Sequence, residues 1–191
     1  MEHNPKCMLM VLLVAALVNG CKRDDDPITP MVPTNEEELI TTLDLHFHSA
    51  NDIEHKHFTF TDLDGDGGSA PIIEADTLSI DSIYSVEIEV LNASGSPVED
   101  ITAEIQAESA AHQFFFRPSG ANVTVAYADT DANGFPVGLQ SVWSMGGASN
   151  GTIVVTLRHQ PDKTAAGVSD GDITNAGGET DIEVTFPVVI E

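Results

Sequence analysis

A single β-sandwich-like domain of about eight or nine strands, mainly β with one short helix, is the fold that the sequence predicts for residues 39–191. Three observations lead there. Apolar residues recur mostly at every second position in short runs, the period of a strand buried on one face. Gly, Asn, Asp and Pro separate those runs, as residues that favour turns do. Neither a βαβ alternation nor a glycine-rich phosphate loop interrupts the pattern.

Leu43, Leu45 and Phe47 share one face of the first run, and Phe58 and Phe60 share one face of the second. Val86, Ile88 and Val90 follow, then Val123, Val125 and Tyr127, then Ile153, Val155 and Leu157, and finally Ile182, Val184 and Phe186. Leu78 to Ile80, Phe114 to Phe116 and Leu139 to Met145 complete the strand set. Between Ser96 and Ala111 the spacing changes to steps of three and four, through Val98, Ile101, Ile105 and then Glu108 or His112. Ser96 as N-cap, Pro97 in the first turn and Glu99 at the third position form a capping box, so a helix is predicted near 97–111.

The N-terminus carries an address. Lys6 precedes the apolar run from Met8 to Val18, and Asn19-Gly20-Cys21 follows it, the layout of a secretory signal peptide over 1–20. Val18, Gly20 and Cys21 resemble the lipobox of bacterial lipoproteins, in which the thiol is acylated. Cys7 lies inside the discarded peptide, so Cys21 is the lone cysteine of the mature chain and no internal disulfide can form. Lys22, Arg23 and Asp24 to Asp26 then open a polar, proline-punctuated stretch ending at Glu38, read as a lipidated acidic tether over 21–38. The charged tract resembles the signal that sends certain Gram-negative lipoproteins to the cell surface. The expected location is the outer membrane, lipid-anchored and surface-exposed.

Charge narrows the partners. With 31 Asp plus Glu against 7 Lys plus Arg, the formal net charge is −24. Such a surface repels a phosphate backbone and has no basic cluster to displace its counterions, which excludes nucleic acid.

Two constellations could carry chemistry. Asp62, Asp64 and Asp66, followed by Gly67 and Gly68, place carboxylates at the first, third and fifth positions of a tight loop; Asp129, Asp131 and Asn133 repeat the spacing ahead of Gly134. Each is a partial calcium loop between strands, and calcium is the cofactor that this spacing suggests. Asp, Asn and Gly are equally the ordinary residues of β-turns, so both readings stand. The second constellation is His46, His48, His55 and His57. A hairpin turning over Ser49 to Glu54 would pair 48 with 55 and 46 with 57, matching Leu45 to Phe58 and Leu43 to Phe60 on the buried face. All four imidazoles would then emerge on the solvated face, where they could hold zinc, copper or nickel or serve as a plain polar surface. His112 and His159 read as isolated structural residues.

No catalytic residue emerges. The chain lacks a G-x-S-x-G elbow and an H-E-x-x-H helix, and pairing any two of its many carboxylates has no specificity. Glu36 to Thr42, Asp62 to Gly68, Pro97 to Ile101, His112 to Phe116, Asp129 to Gly138, Leu157 to Lys163 and Gly171 to Pro187 resemble a family of short Gram-negative outer-membrane lipoproteins. Members are often catalogued under the type 1 periplasmic binding fold, whose two doubly wound lobes need more chain and a different periodicity. The resemblance implies the localisation and one intact domain, and it carries no catalytic residue. The resulting expectation is a noncatalytic lipoprotein, calcium-stabilised, that binds an envelope protein or a glycan. The alternative is a metal-binding lipoprotein using the four-histidine face.

Overall fold

The computed structural model describes residues 39–50, 52–65 and 67–191. The signal peptide, Cys21, the tether and Asp66 lie outside the described residues.

The elements are β1 (Thr42–Ser49), β2 (His55–Thr61), β3 (Ile72–Ala75), β4 (Ile83–Asn92), β5 (Glu99–Asp100), α1 (Ile101–Ala107), β6 (His112–Ser119), β7 (Val123–Tyr127), β8 (Gln140–Met145), β9 (Ser149–His159) and β10 (Glu179–Ile190). One sheet runs β3-β2-β1-β4-β8-β7, with short β5 also on β4, and the other runs β10-β9-β6. Every strand pair is antiparallel. The predicted β-sandwich is therefore found.

Alternation explains the core. Leu43, Leu45 and Phe47 from β1, with Val86, Ile88 and Val90 from β4, bury one face of the larger sheet. Ile153, Val155, Leu157, Val184, Phe186 and Val188 meet them from the smaller one. Phe58 bridges the layers, its ring 5.7 Å from Phe186 and 4.8 Å from Phe47. Trp143 packs edge-on against Phe47 at 5.1 Å and against Phe116 at 5.7 Å. Rings of this size remove large apolar areas from water, which stabilises a sandwich that has no disulfide to lean on.

Three expectations change in detail. Leu78 to Ile80 makes no strand: Leu78 forms a single parallel bridge to Ile190, its amide donating to the Val189 carbonyl. The strand at Ile72–Ala75 escapes the alternation rule because it is a sheet edge with Ile72 and Ile73 both exposed. The helix begins later than the capping box suggests. Asp100, not Ser96, is the N-cap, accepting from the Ala103 amide, and helix geometry ends at Ala107, followed by a 3-10 turn at Ser109–Ala111. The competing force is sheet pairing. Glu99 and Asp100 hydrogen-bond to β4 as a two-residue strand, and the Glu99 carboxylate accepts from the Asn92 side chain instead of reaching back to Ser96. Ile101 and Ile105 are buried as their spacing predicts, whereas Val98 is exposed.

The outer face of the smaller sheet is covered by chain. Between β9 and β10, turns at Val168–Asp170 and Ile173–Asn175 place Val168 and Ala176 over Phe115. Gln113 and Phe115 are consequently buried on that outer face, while Phe114 between them enters the core between the sheets; Gln113 Nε2 donates to the Val168 carbonyl at 2.9 Å.

Candidate metal-binding site

The β1–β2 hairpin has the predicted register: His46 opposes His57, His48 opposes His55, Leu45 opposes Phe58 and Leu43 opposes Phe60. Strand parity then puts the four imidazoles on the outer face, because their neighbours Leu45, Phe47 and Phe58 are committed to the core. The turn holds this register tightly. Ser49 N donates to the Glu54 carbonyl at 3.0 Å, Glu54 N donates back to Ser49 Oγ at 3.0 Å, and Asp52 takes a left-handed φ of 55° between them. Glu54 in turn accepts from Tyr84 at 2.8 Å and Ser79 at 2.9 Å, which ties the turn to the core. The Tyr84 hydrogen bond holds the Glu54 carboxyl below its ordinary value despite some desolvation.

The imidazoles do not form one four-nitrogen cluster. They divide into two trios, each completed by an aspartate that the histidine spacing alone does not reveal. In the first, Asp44 Oδ2 lies 3.1 Å from His46 Nε2, and Asp44 Oδ1 lies 3.3 Å from His57 Nδ1. The His46 and His57 rings meet at 62° with centroids 4.5 Å apart. In the second, Asp52 Oδ1 lies 3.3 Å from His48 Nδ1 and 3.6 Å from His55 Nε2, and the rings meet at 85°. All three ligand atoms of each trio fall within 4.8 Å of one another. Ligands at 2.0–2.1 Å around a tetrahedral zinc stand roughly 3.3 Å apart along each edge, so these separations suit one ion per trio. His46 Nε2 adds a further sign: it is shut off from solvent and makes no hydrogen bond, although Asp44 sits beside it.

Asp44 was legible in retrospect, since a residue two before His46 on a strand must share its face. Asp52 was not, because a turn residue has no parity.

A third group, Glu108, His112 and His159, forms where β6 and β9 pair. Here the expectation of isolated histidines is corrected, because the two rings stack at 4.7 Å with planes only 10° apart. Parallel rings carry their lone pairs in parallel planes, which suits packing better than joint ligation. His112 Nδ1 donates to the Glu108 carbonyl at 3.2 Å, and burial pushes this imidazole below its ordinary value, so it stays neutral.

In the Asp/Gly loops the described aspartates accept hydrogen bonds from the chain itself. Asp62 Oδ1 accepts from Gly65 N and Asp64 Oδ2 from Ser69 N, each closing its own turn. Asp129 accepts from Gly138 N and Gln140 N. Asp131 Oδ1 accepts from Asn133 N and Phe135 N, and its Oδ2 lies 3.1 Å from Nζ of the buried Lys163. Lys163 also donates to the Ser109 carbonyl at 2.7 Å and the Pro136 carbonyl at 2.9 Å. Burial depresses the lysine, and Asp131 restores it only in part. Burial works against Asp131 as well, but the Lys163 hydrogen bond and two amides outweigh it and leave the carboxyl below its ordinary value. Among the described residues, neither loop gathers three His, Cys, Asp or Glu side chains at ligand distance. Sequence reasoning missed the Lys163–Asp131 pair because the two residues are brought together only by the long loop after β9.

Family models, curated proteins and solved structures were each compared with the chain, and none matches.

Proposed function

We propose that the domain is a noncatalytic binding module that captures a transition-metal ion, zinc or copper, on the outer face of the β1–β2 hairpin. The observation that carries this reading is the pair of His-His-Asp trios, with aspartate-to-imidazole separations from 3.1 to 3.6 Å. Imidazole and carboxylate are the donors that such ions accept. Electrostatics supports it. Glu87 and Glu89 of β4 stand beside His46 and Asp44 on the same face. No Lys or Arg of these three strands shares that face, since Lys56 lies on the opposite side of β2, opposite Phe47. A divalent cation relieves the repulsion among the carboxylates. In this reading the Cys21 anchor and the tether to residue 38 hold the face at the outer membrane.

Titration calorimetry with zinc and with copper at fixed ionic strength tests the proposal. Micromolar or tighter binding is expected, with the first trio's share of it lost on combining His46→Ala with His57→Ala, all of it lost on removal of the four histidines, and the whole weakened on acidification because the ligating imidazoles must be neutral. Absence of heat from both metals, or binding untouched by removal of all four histidines, overturns it and favours a module for a glycan or an envelope protein instead.

A further inference from the structure

We infer that Glu87 completes the first trio as a fourth protein ligand, so that the two sites on the hairpin face differ in kind. This rests on the metal reading above. The register of β1 against β4 sets His46 opposite Glu87, Asp44 opposite Glu89 and His48 opposite Ser85. His46 is therefore flanked across the sheet by His57 on one side and by Glu87 on the other. Directly opposed residues have Cβ atoms about 4.5–5.5 Å apart, within reach of a glutamate. Glu87 is exposed, and its neighbour on β8 is Gln140, which has no charge to hold it there.

The corresponding position beside the second trio is Ser85, too short and too weak a ligand to close a site. Asp44, His46 and His57 already lie at ligand distance, and Glu87 turning toward His46 would give the first site two imidazoles and two carboxylates, a full tetrahedral set for zinc. The second has two imidazoles and Asp52, which stands in the exposed turn, and it leaves a position to water. Backing differs too. The Asp44 side chain is 17% exposed and the Asp52 side chain 77%, so the first carboxylate is held in place while the second must be ordered on binding. The structure consequently assigns a retaining site and an exchangeable one, adjacent on one face.

Two backgrounds isolate them in the full domain: His48→Ala with His55→Ala leaves the first site, and His46→Ala with His57→Ala leaves the second. The altered side chains lie on the outer face, His46 and His48 half-buried and the others exposed, and circular dichroism verifies each fold. Zinc affinity is read by competition with a chromophoric chelator. The first site is expected to bind at least about tenfold tighter than the second, and Glu87→Gln is expected to weaken it roughly 10- to 100-fold while leaving the second unchanged. Glu89→Gln removes an equal charge beside Asp44 and serves as the comparison. Equal affinities in the two backgrounds, or equal losses from Glu87→Gln and Glu89→Gln, overturn the ligand assignment and leave the metal reading standing. Failure of both backgrounds to bind zinc overturns the ligand assignment, and failure of the unaltered protein to bind either zinc or copper overturns the metal reading as well.

Discussion

Replacing Lys163 with methionine should be among the most damaging single changes in this protein, although no sequence motif marks the position. The ammonium has three protons, and the structure supplies three acceptors, at Ser109 O, Asp131 Oδ2 and Pro136 O, between 2.7 and 3.1 Å. Those acceptors belong to the turn after α1 and to the β7–β8 loop, so one side chain joins three separate segments. Lys163→Met leaves the buried Asp131 carboxylate without its cation, a type of change that costs about 3–5 kcal/mol. In a domain of this size each kcal/mol moves Tm by about 2–4 °C, so a fall of roughly 6–20 °C follows. The pH dependence has a definite sign. Asp131 titrates in the folded state below its ordinary value, so its contribution is complete above the unfolded carboxylate pKa and is lost as pH falls through the folded one. The gap between wild type and Lys163→Met should therefore be widest near pH 7 and shrink below about pH 4. Urea and thermal unfolding followed by circular dichroism at both pH values measure it. A loss under about 1 kcal/mol, or a gap that persists unchanged in acid, refutes the reasoning. The calcium reading meets the same experiment. Because Asp131 is engaged by the protein itself, Asp131→Ala should destabilise as much in chelator as in millimolar calcium, and a loss seen only with calcium would restore the loop as a cation site.

Two further outcomes are expected. An alanine Cβ at Gly178, where φ is +69°, would lie 2.2 Å from the His159 carbonyl oxygen, whereas at Gly177, with φ +58°, it meets nothing within 4 Å; Gly177→Ala should cost about 1–2 kcal/mol and Gly178→Ala distinctly more, and equal urea midpoints would contradict the close approach. Mass spectrometry of the N-terminal peptide should find the mature chain starting at an acylated Cys21, and a start elsewhere or an unmodified thiol would remove the anchor from the proposal.

The period-two pattern was enough to determine the fold class and the hairpin register, because a strand with one buried face admits a single parity. Leu45 against Phe58 leaves His46 and His57 no choice of side. Ile101 and Ile105 were likewise legible as a buried stripe. The start of α1 was not, since hydrogen bonds from Glu99 and Asp100 to β4 overrode a local capping signal, and local signals do not report what a distant strand offers. The edge strand at Ile72 carried no alternation because no face of it is fully buried. The site divided in the same way. Sequence spacing brought four histidines to one face; tertiary structure split them into two trios by adding Asp44 and Asp52, and it set Glu87 beside one trio and Ser85 beside the other. It also brought Lys163, 32 residues away, onto the Asp131 carboxylate. The physical reason is common to all of these. Periodicity reports which side of an element meets the core, whereas a polar side chain's partner depends on which other segment arrives there, and that is decided only when the whole chain packs.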